Sequence, residues 1–426
     1  MGDGWGDIRD IPEAQLDDAL DLSYLAFHLN PGDKRRNNHR ELLRRCARIG
    51  AYDSELLAGL AAAHPLTLSI PGGQLPCAAL DFVSVAPTHR RRGVLTSMMA
   101  ELWRRCGTDG QPLSCLWASE SAIYGRFGYA PASEVYRIEI DSARPLALRI
   151  TPDRRPLRLI DPADAPDVLG PLFDASLAHR AGRFTRDAAW WRKQVLDLDG
   201  ARESDGPNSS GAPRVVVLGA PGEAPAGYAL YRANGPGETS PGTVTVDELE
   251  AESAPAAAAL WSYLASIDLT TTVRVQARPA DDPLLHFAAD RDQVQVTRQE
   301  IGLWVRLVDV RAALTARSWA APVDLVLDLR DTTLPANAGR FRLTAGGDGA
   351  EPGAIWAAGG TATWTRTDEE ADISLDVREL GACYLGGTRL RHLVQAGLVT
   401  EHTPGAVRRL DAALETEWLP FTAENY

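Results

Sequence analysis

Residues 80–99 read LDFVSVAPTHRRRGVLTSMM. Leu80–Val85 is a strand, with Val83 and Val85 on one face at period two. Pro87 has no amide hydrogen for a sheet and stops it. Arg90, Arg91, Arg92 and Gly93 then make a turn, and Val94, Leu95, Met98, Met99, Leu102 and Trp103 recur at the spacing of an amphipathic helix over Val94–Cys106. A strand, an arginine-glycine turn and a helix start, in that order, can hold an anion. The first-turn amides have no partner inside the helix, and the helix dipole favours negative charge there. Gly93 lets backbone approach closely, and Arg91 or Arg92 can add charge-assisted bonds to a pyrophosphate. A solvated basic corner before a helix has the same letters, so this string needs a companion.

The companion is LSCLWASESAIYGRFGY, residues 113–129. Leu113–Ala118 reads as a second strand ending at Ser119 and Glu120, followed by a short helical segment that carries Tyr124 and ends at Gly125 and Gly128. A tyrosine just past a strand end can reach into the gap beside the neighbouring strand. It can equally well pack, as Tyr129 can.

Outward from this pair, Asp17–Phe27 and Arg40–Arg48 read as amphipathic helices, and Ser142–Pro156 as a Pro- and Arg-rich linker. Strands are expected at Val215–Leu218, Gly227–Tyr231 and Thr243–Leu249, then a helix at Pro255–Ile267 and a strand at Thr271–Ala277, after a polar loop at Asp199–Pro213. This repeats the strand, helix, strand order of residues 80–118 and suggests an internal duplication. The second copy has Ala251, Glu252, Ser253 and Ala254 where the arginine-glycine turn should lie. From Ile301, GLWVRLVDVRAAL reads as a strand entering a helix, VDLVLDLRD and DISLDVREL as alternating strands, and Thr388–Gln395 and Gly405–Glu417 as helices. The expected division is 1–145, 146–300 and 301–426, each α+β or α/β.

The chain has 426 residues, enough for two or three cores. Its net charge of −13 argues against nucleic acid, whose phosphates are met by excess Lys and Arg, and suits a cationic partner. Lys34 and Lys193 are the only lysines, and neither completes a P-loop. No apolar run approaches the roughly 20 residues of a membrane span. The acidic, glycine-broken N-terminus has no signal-peptide pattern, so the cytoplasm is expected. Five scattered cysteines without C-x-x-C spacing, and histidines without an H-x-x-x-H pair, point to free buried thiols and no metal.

Together the two strings resemble the GCN5-related N-acetyltransferase (GNAT) superfamily. Its pyrophosphate turn is R/Q-x-x-G-x-G/A, matched from Arg90 to Gly93 but with Leu95 in place of the small residue. VSVAPTHRRRGVL, ASESAIYGRFGYAPAS, GYALYR, GLWVRLVDVRAAL and CYLGG make the chain similar, along nearly its whole length, to the Eis (enhanced intracellular survival) acetyltransferases of actinobacteria. The resemblance implies an active GNAT domain, a degenerate second GNAT-like domain and a third domain similar to sterol carrier proteins. It implies acetyl-CoA as cosubstrate, a cationic amine as acceptor and a homohexamer. It places pantetheine on Val83, Ser84 and Val85, and the pyrophosphate on Arg90, Arg91, Arg92, Gly93, Val94, Leu95 and Thr96. Ser119 and Glu120 line the cofactor, Tyr124 is the general acid, and the C-terminal carboxylate, here that of Tyr426, is the base. An oxyanion donor would come from the Phe82–Ser84 amides. Two departures bear on substrate. The position before the terminal aromatic, commonly acidic, is Asn425, with Glu424 one earlier, and Leu25–Asn30 lacks the acid expected of an aminoglycoside pocket. A lipid or small-molecule binder with a vestigial transferase, and a dedicated protein-lysine acetyltransferase, are the competing functions.

Overall fold

The computed structural model describes residues 5–198, 211–237, 241–346 and 362–424. The expected loop at 199–213 therefore lies largely outside the described residues, as do Asn425 and Tyr426. The described strands form three mixed sheets. The chain divides into two compact units: Met1–Ser133 with Gly302–Pro420, and Glu134–Ile301 with the tail from Phe421.

In the first unit a seven-stranded sheet runs in the order Ile8–Asp10, Ala47–Asp53, Leu56–Ile70, Gly73–Val85, Leu113–Leu116, Trp304–Leu307, Ala130–Pro131. The strands Leu56–Ile70 and Gly73–Val85 form a long antiparallel hairpin. Leu56–Ala63, an apolar run in the sequence, belongs to the first of them, buried on both faces from Ala58 to Ala63. Helix Val94–Thr108 crosses over to bring Leu113–Leu116 parallel to Cys77–Leu80. Its Met98, Met99, Leu102 and Trp103 fill one core with Ala61, Ala78 and Leu80. Helix Leu16–Phe27 covers the other face with Leu60 and Ala62. The second expected helix starts earlier, as Asp33–Arg45, and Arg48 falls in a strand. The same unit carries a five-stranded sheet ordered Thr363–Arg366, Gly339–Ala345, Val323–Arg330, Ile373–Asp376, Thr400–Glu401. DISLDVREL is a strand only to Asp376, whose carboxylate accepts from the Arg378 amide at 3.1 Å and starts the helix Val377–Tyr384.

The second unit holds a seven-stranded sheet in the order Val294–Ile301, Glu134–Asp141, Thr270–Arg278, Gly242–Ala251, Gly227–Asn234, Arg214–Leu218, Leu157–Ile160. Here too a helix, Ala254–Ala265, links two parallel strands, Gly242–Ala251 and Thr270–Arg278.

Cuts at 145 and 300 do not follow these units. Glu134–Asp141 pairs with Thr270–Arg278 and Val294–Ile301 in the second sheet, and Trp304–Leu307 returns to the first between Leu113–Leu116 and Ala130–Pro131. Each sheet recruits a strand from beyond the linear boundary because a buried strand must pair on both edges.

Candidate active site

The strand Gly73–Val85 keeps its parallel partner only at Cys77–Leu80. Beyond Leu80 it pairs on one side, with Leu60 and Gly59, and its other edge faces the gap left by the diverging Leu113–Leu116. A strand with free edge amides and carbonyls can take an extended chain as an extra strand. The divergence begins at a bulge where Phe82 adopts φ +52°.

A cleft of about 600 Å³ opens at this gap. Among the expected residues, Val83, Ser84, Val85, Arg90, Arg91, Val94, Leu95, Ser119, Glu120 and Tyr124 line it. Arg92, Gly93 and Thr96 do not. The Arg92 guanidinium lies over the Trp5 ring, 5.0 Å from its centroid. Gly93 acts through its backbone: with φ +83° it precedes the helix, and no side chain caps the helix start. The first-turn amides therefore keep their capacity for a ligand, beside the Arg91 cation. Phe27, His28, His89, Ile123 and Arg126 also line the cleft and were not foreseen. His28 gave no sequence signal, being brought there only where helix Leu16–Phe27 ends in a left-handed residue. Arg126 sits two residues past Tyr124 and was legible as part of the same motif.

Tyr124 ends the short helix Ser121–Tyr124 and is buried. Burial first, then the carboxylates Asp81 and Glu120, push its phenol pKa up to about 12, so it keeps its proton at neutral pH. Tyr129 takes the packing role instead: it is fully buried and shares a 2.7 Å hydrogen bond with Ser114. The two rings meet edge to face at 6.0 Å. The turn between them is held by arginines. A Cβ at Gly128, where φ is +82°, would come within 2.8 Å of the Arg306 guanidinium, which is itself fully buried against Asp331 at 2.6 Å. At Gly125 a Cβ would meet Arg378 at the same distance. Of the possible oxyanion donors, the Phe82 amide is already spent on its neighbour's Asp81 Oδ1 at 2.7 Å, which leaves Val83 and Ser84.

Tyr426 lies outside the described residues. Glu424, the acid nearest the chain end, is buried in the second unit. It accepts from Arg186 Nε through one oxygen and from Trp190 Nε1 at 3.0 Å through the other. With both oxygens engaged, this carboxylate anchors the tail.

The second copy has no counterpart to the anion turn. Ser253 caps helix Ala254–Ala265, accepting from the Ala256 amide at 3.3 Å, and Glu252 beside it is paired with Arg155 at 2.6 Å. The strand edge is also filled, since Arg278 donates to the Leu249 carbonyl at 2.6 Å. Among the described residues, no group of three or more His, Cys, Asp or Glu is placed to hold a metal ion, and no helix is long and apolar enough to cross a membrane.

Known proteins resemble the chain in the same segments. Residues 7–132 and 182–311 each match an acetyltransferase (GNAT) domain family, and 310–422 match a sterol carrier protein domain. An uncharacterized N-acetyltransferase of Streptomyces avermitilis is 39% identical over 396 residues, 90% of this chain and 92% of that one. The N-acetyltransferase Eis of Mycobacterium tuberculosis is 35% identical over 378 residues, 87% and 86% of the two chains. The crystal structure of Eis1 from Mycobacterium abscessus superposes with a TM-score of 0.82 at 32% identity, covering 99% of this chain and 100% of that one.

Proposed function

The chain belongs to the Eis family of GNAT-type N-acetyltransferases, and from that premise we propose that it moves the acetyl group of acetyl-CoA to a primary amine at the Tyr124 cleft. The observation that carries the proposal is the coincidence, in one cleft, of a free strand edge, an uncapped helix start beside Arg91 and a protonated tyrosine. Pantetheine lies along Val83, Ser84 and Val85 as an added strand, and the pyrophosphate meets the amides of Val94, Leu95 and Thr96 with Arg90 and Arg91 alongside. The amine attacks the thioester carbonyl. The Val83 or Ser84 amide holds the developing oxyanion, and the C–S bond breaks as Tyr124 protonates the departing thiolate.

The amine arrives as an ammonium ion, and the Tyr426 carboxylate takes its proton. An ordinary α-carboxyl pKa near about 3.5 makes direct abstraction uphill, so a bridging water or burial has to narrow the gap. The acceptors are amines of aminoglycosides, polyamines or lysine side chains. The net charge of −13 favours such cations at long range. All five cysteines are buried and outside any disulfide, in keeping with work in the cytoplasm. The family likeness extends to a homohexamer. The test is acetyl-CoA consumption by the full-length protein across aminoglycosides, polyamines, lysine peptides and simple amines. Turnover of none of them, with CoA bound normally, would leave a vestigial transferase and return the lipid-binding reading of the C-terminal domain.

A further inference from the structure

Three polar side chains from three separate strands or helix ends line up behind the Phe82 bulge. Cys46, which closes helix Asp33–Arg45, lies 3.3 Å from His64 Nδ1, and His64 Nε2 lies 3.2 Å from Asp81 Oδ2. The order thiol, imidazole, carboxylate is that of a nucleophilic triad, but the chemistry is reversed. Cys46 is buried, and burial raises its thiol pKa well above the ordinary value, so the sulfur keeps its proton. In the tautomer with its hydrogen on Nε2 the imidazole donates to Asp81. Nδ1 and the Leu42 carbonyl, each 3.3 Å from the sulfur, are then the acceptors that the Cys46 S–H can meet. The Phe82 amide takes the other oxygen, Asp81 Oδ1, at 2.7 Å. His64 and Cys46 are almost sealed from solvent, while about a fifth of the Asp81 side chain, 21%, stays exposed. The arrangement holds one partly exposed carboxylate in a fixed place.

That place is on the reacting strand, one residue before Phe82 and two before Val83, which lines the cleft. Val83 and Val85 pack toward helix Val94–Thr108, where the anion turn lies. The bulge turns Phe82 the other way, into the core under helix Leu16–Phe27, with His39 edge-on to its ring at 5.8 Å. Asp81 stands immediately before it, and its field reaches both His39 and the Tyr124 phenol. Asp17 and Asp21 pair with Arg36 and Arg40, and Asp53 with His89, while Glu120 lines the cleft beside Ser119, on the side read as the cofactor's. Leu25–Asn30 supplies none, and Asn425 is neutral.

Resting on the transferase reading, we propose that Asp81 receives the ammonium group of the acceptor amine, with His64 and Cys46 as the residues that position it. Asp81 then selects amines that are cations, beside a general acid and oxyanion donors that are indifferent to that charge. The test uses Asp81→Asn in the full-length protein with propylamine and spermidine, cations at neutral pH, against aniline, which is neutral there. The expected result is a fall in the ratio of kcat/KM for either cation to that for aniline of roughly 10–100-fold, carried by KM, as for losing a charged hydrogen bond. CoA affinity by calorimetry reports that the cleft is intact. Should Asp81→Asn fail to bind CoA, His64→Gln reads the same ratio. It leaves the carboxylate but loosens its hold, and the ratio should fall severalfold, again through KM. An unchanged ratio in whichever variant binds CoA, with wild-type turnover present, overturns the Asp81 assignment alone. Wild-type protein that turns over no amine overturns the transferase reading beneath it.

Discussion

Replacing Tyr124 by Phe removes one oxygen atom from the cleft. Burial, Asp81 and Glu120 are the influences on that phenol, and among the described residues none of them is a hydrogen bond. Its removal therefore strands no buried donor or acceptor, and stability should move by less than about 1 kcal/mol. The ring keeps its edge contact with Tyr129 and its place in the core with Phe127 and Trp103. The chemistry depends on the lost atom. A thiolate leaving without a proton donor should slow turnover by about 10²–10⁴-fold, or roughly 3–5 kcal/mol of barrier. The raised pKa adds a pH signature with a definite sign. A phenol at about 12 is protonated throughout pH 6–9, so wild-type kcat should show no alkaline fall from this group in that range. The mutant's loss should be the same at every pH within it. The assay is release of the CoA thiol at saturating amine, with single-turnover mixing to separate chemistry from product release. A Phe variant with near wild-type kcat and normal CoA binding would remove Tyr124 from the mechanism.

Arg91 and Arg92 should separate. Arg91→Ala should weaken acetyl-CoA by about tenfold in KM with little change in kcat, whereas Arg92→Ala, whose guanidinium rests on Trp5, should leave CoA affinity near wild type in calorimetry. Extending the chain by a few residues past Tyr426 replaces the terminal carboxylate with an amide. If that carboxylate is the base, kcat should drop sharply with every amine while the thermal melt and CoA binding stay normal. Light scattering at micromolar concentration should give six times the 46.0 kDa chain mass, and a monomer would count against the oligomer.

Much of the first domain was legible because its signals are local. Pro87, the three arginines, Gly93 and the apolar stripe from Val94 follow from backbone restriction and helical period, and each appears where the letters place it. What was not legible depends on pairing at long range. Nothing in GLWVRL says that Trp304–Leu307 inserts beside Leu113–Leu116, since its register is set by an edge 188 residues earlier, from Trp304 back to Leu116. DISLDVREL alternates like a strand through Leu380, but Asp376 is a better cap than a strand residue, and a local side-chain bond outweighed the pattern. The His64 contact with Asp81 was hidden for the opposite reason. It joins diagonal neighbours across the long hairpin, where His64 pairs with Ala79 and Ala62 with Asp81, so it needs a register that no local pattern supplies.

The two copies show which features make a GNAT-like scaffold receptive. Both have a parallel strand pair joined by a helix, so the topology alone does not supply an anion site. One difference is the position before the helix. Gly93 leaves the first-turn amides open, and Ser253 closes its own. The second copy then commits the surrounding space to structure. Arg186 is buried between Glu248 and Glu424, lies 3.7 Å over the Phe173 ring, and ties the tail to the second sheet. Such a buried network adds little net stability over an apolar core of the same volume, yet removing one partner is costly because the others are left unpaired. Withdrawing the tail would leave Arg186 short of a carboxylate and Trp190 Nε1 without its acceptor. The network therefore acts as a registry device. Glu424 is held in one place within the second unit.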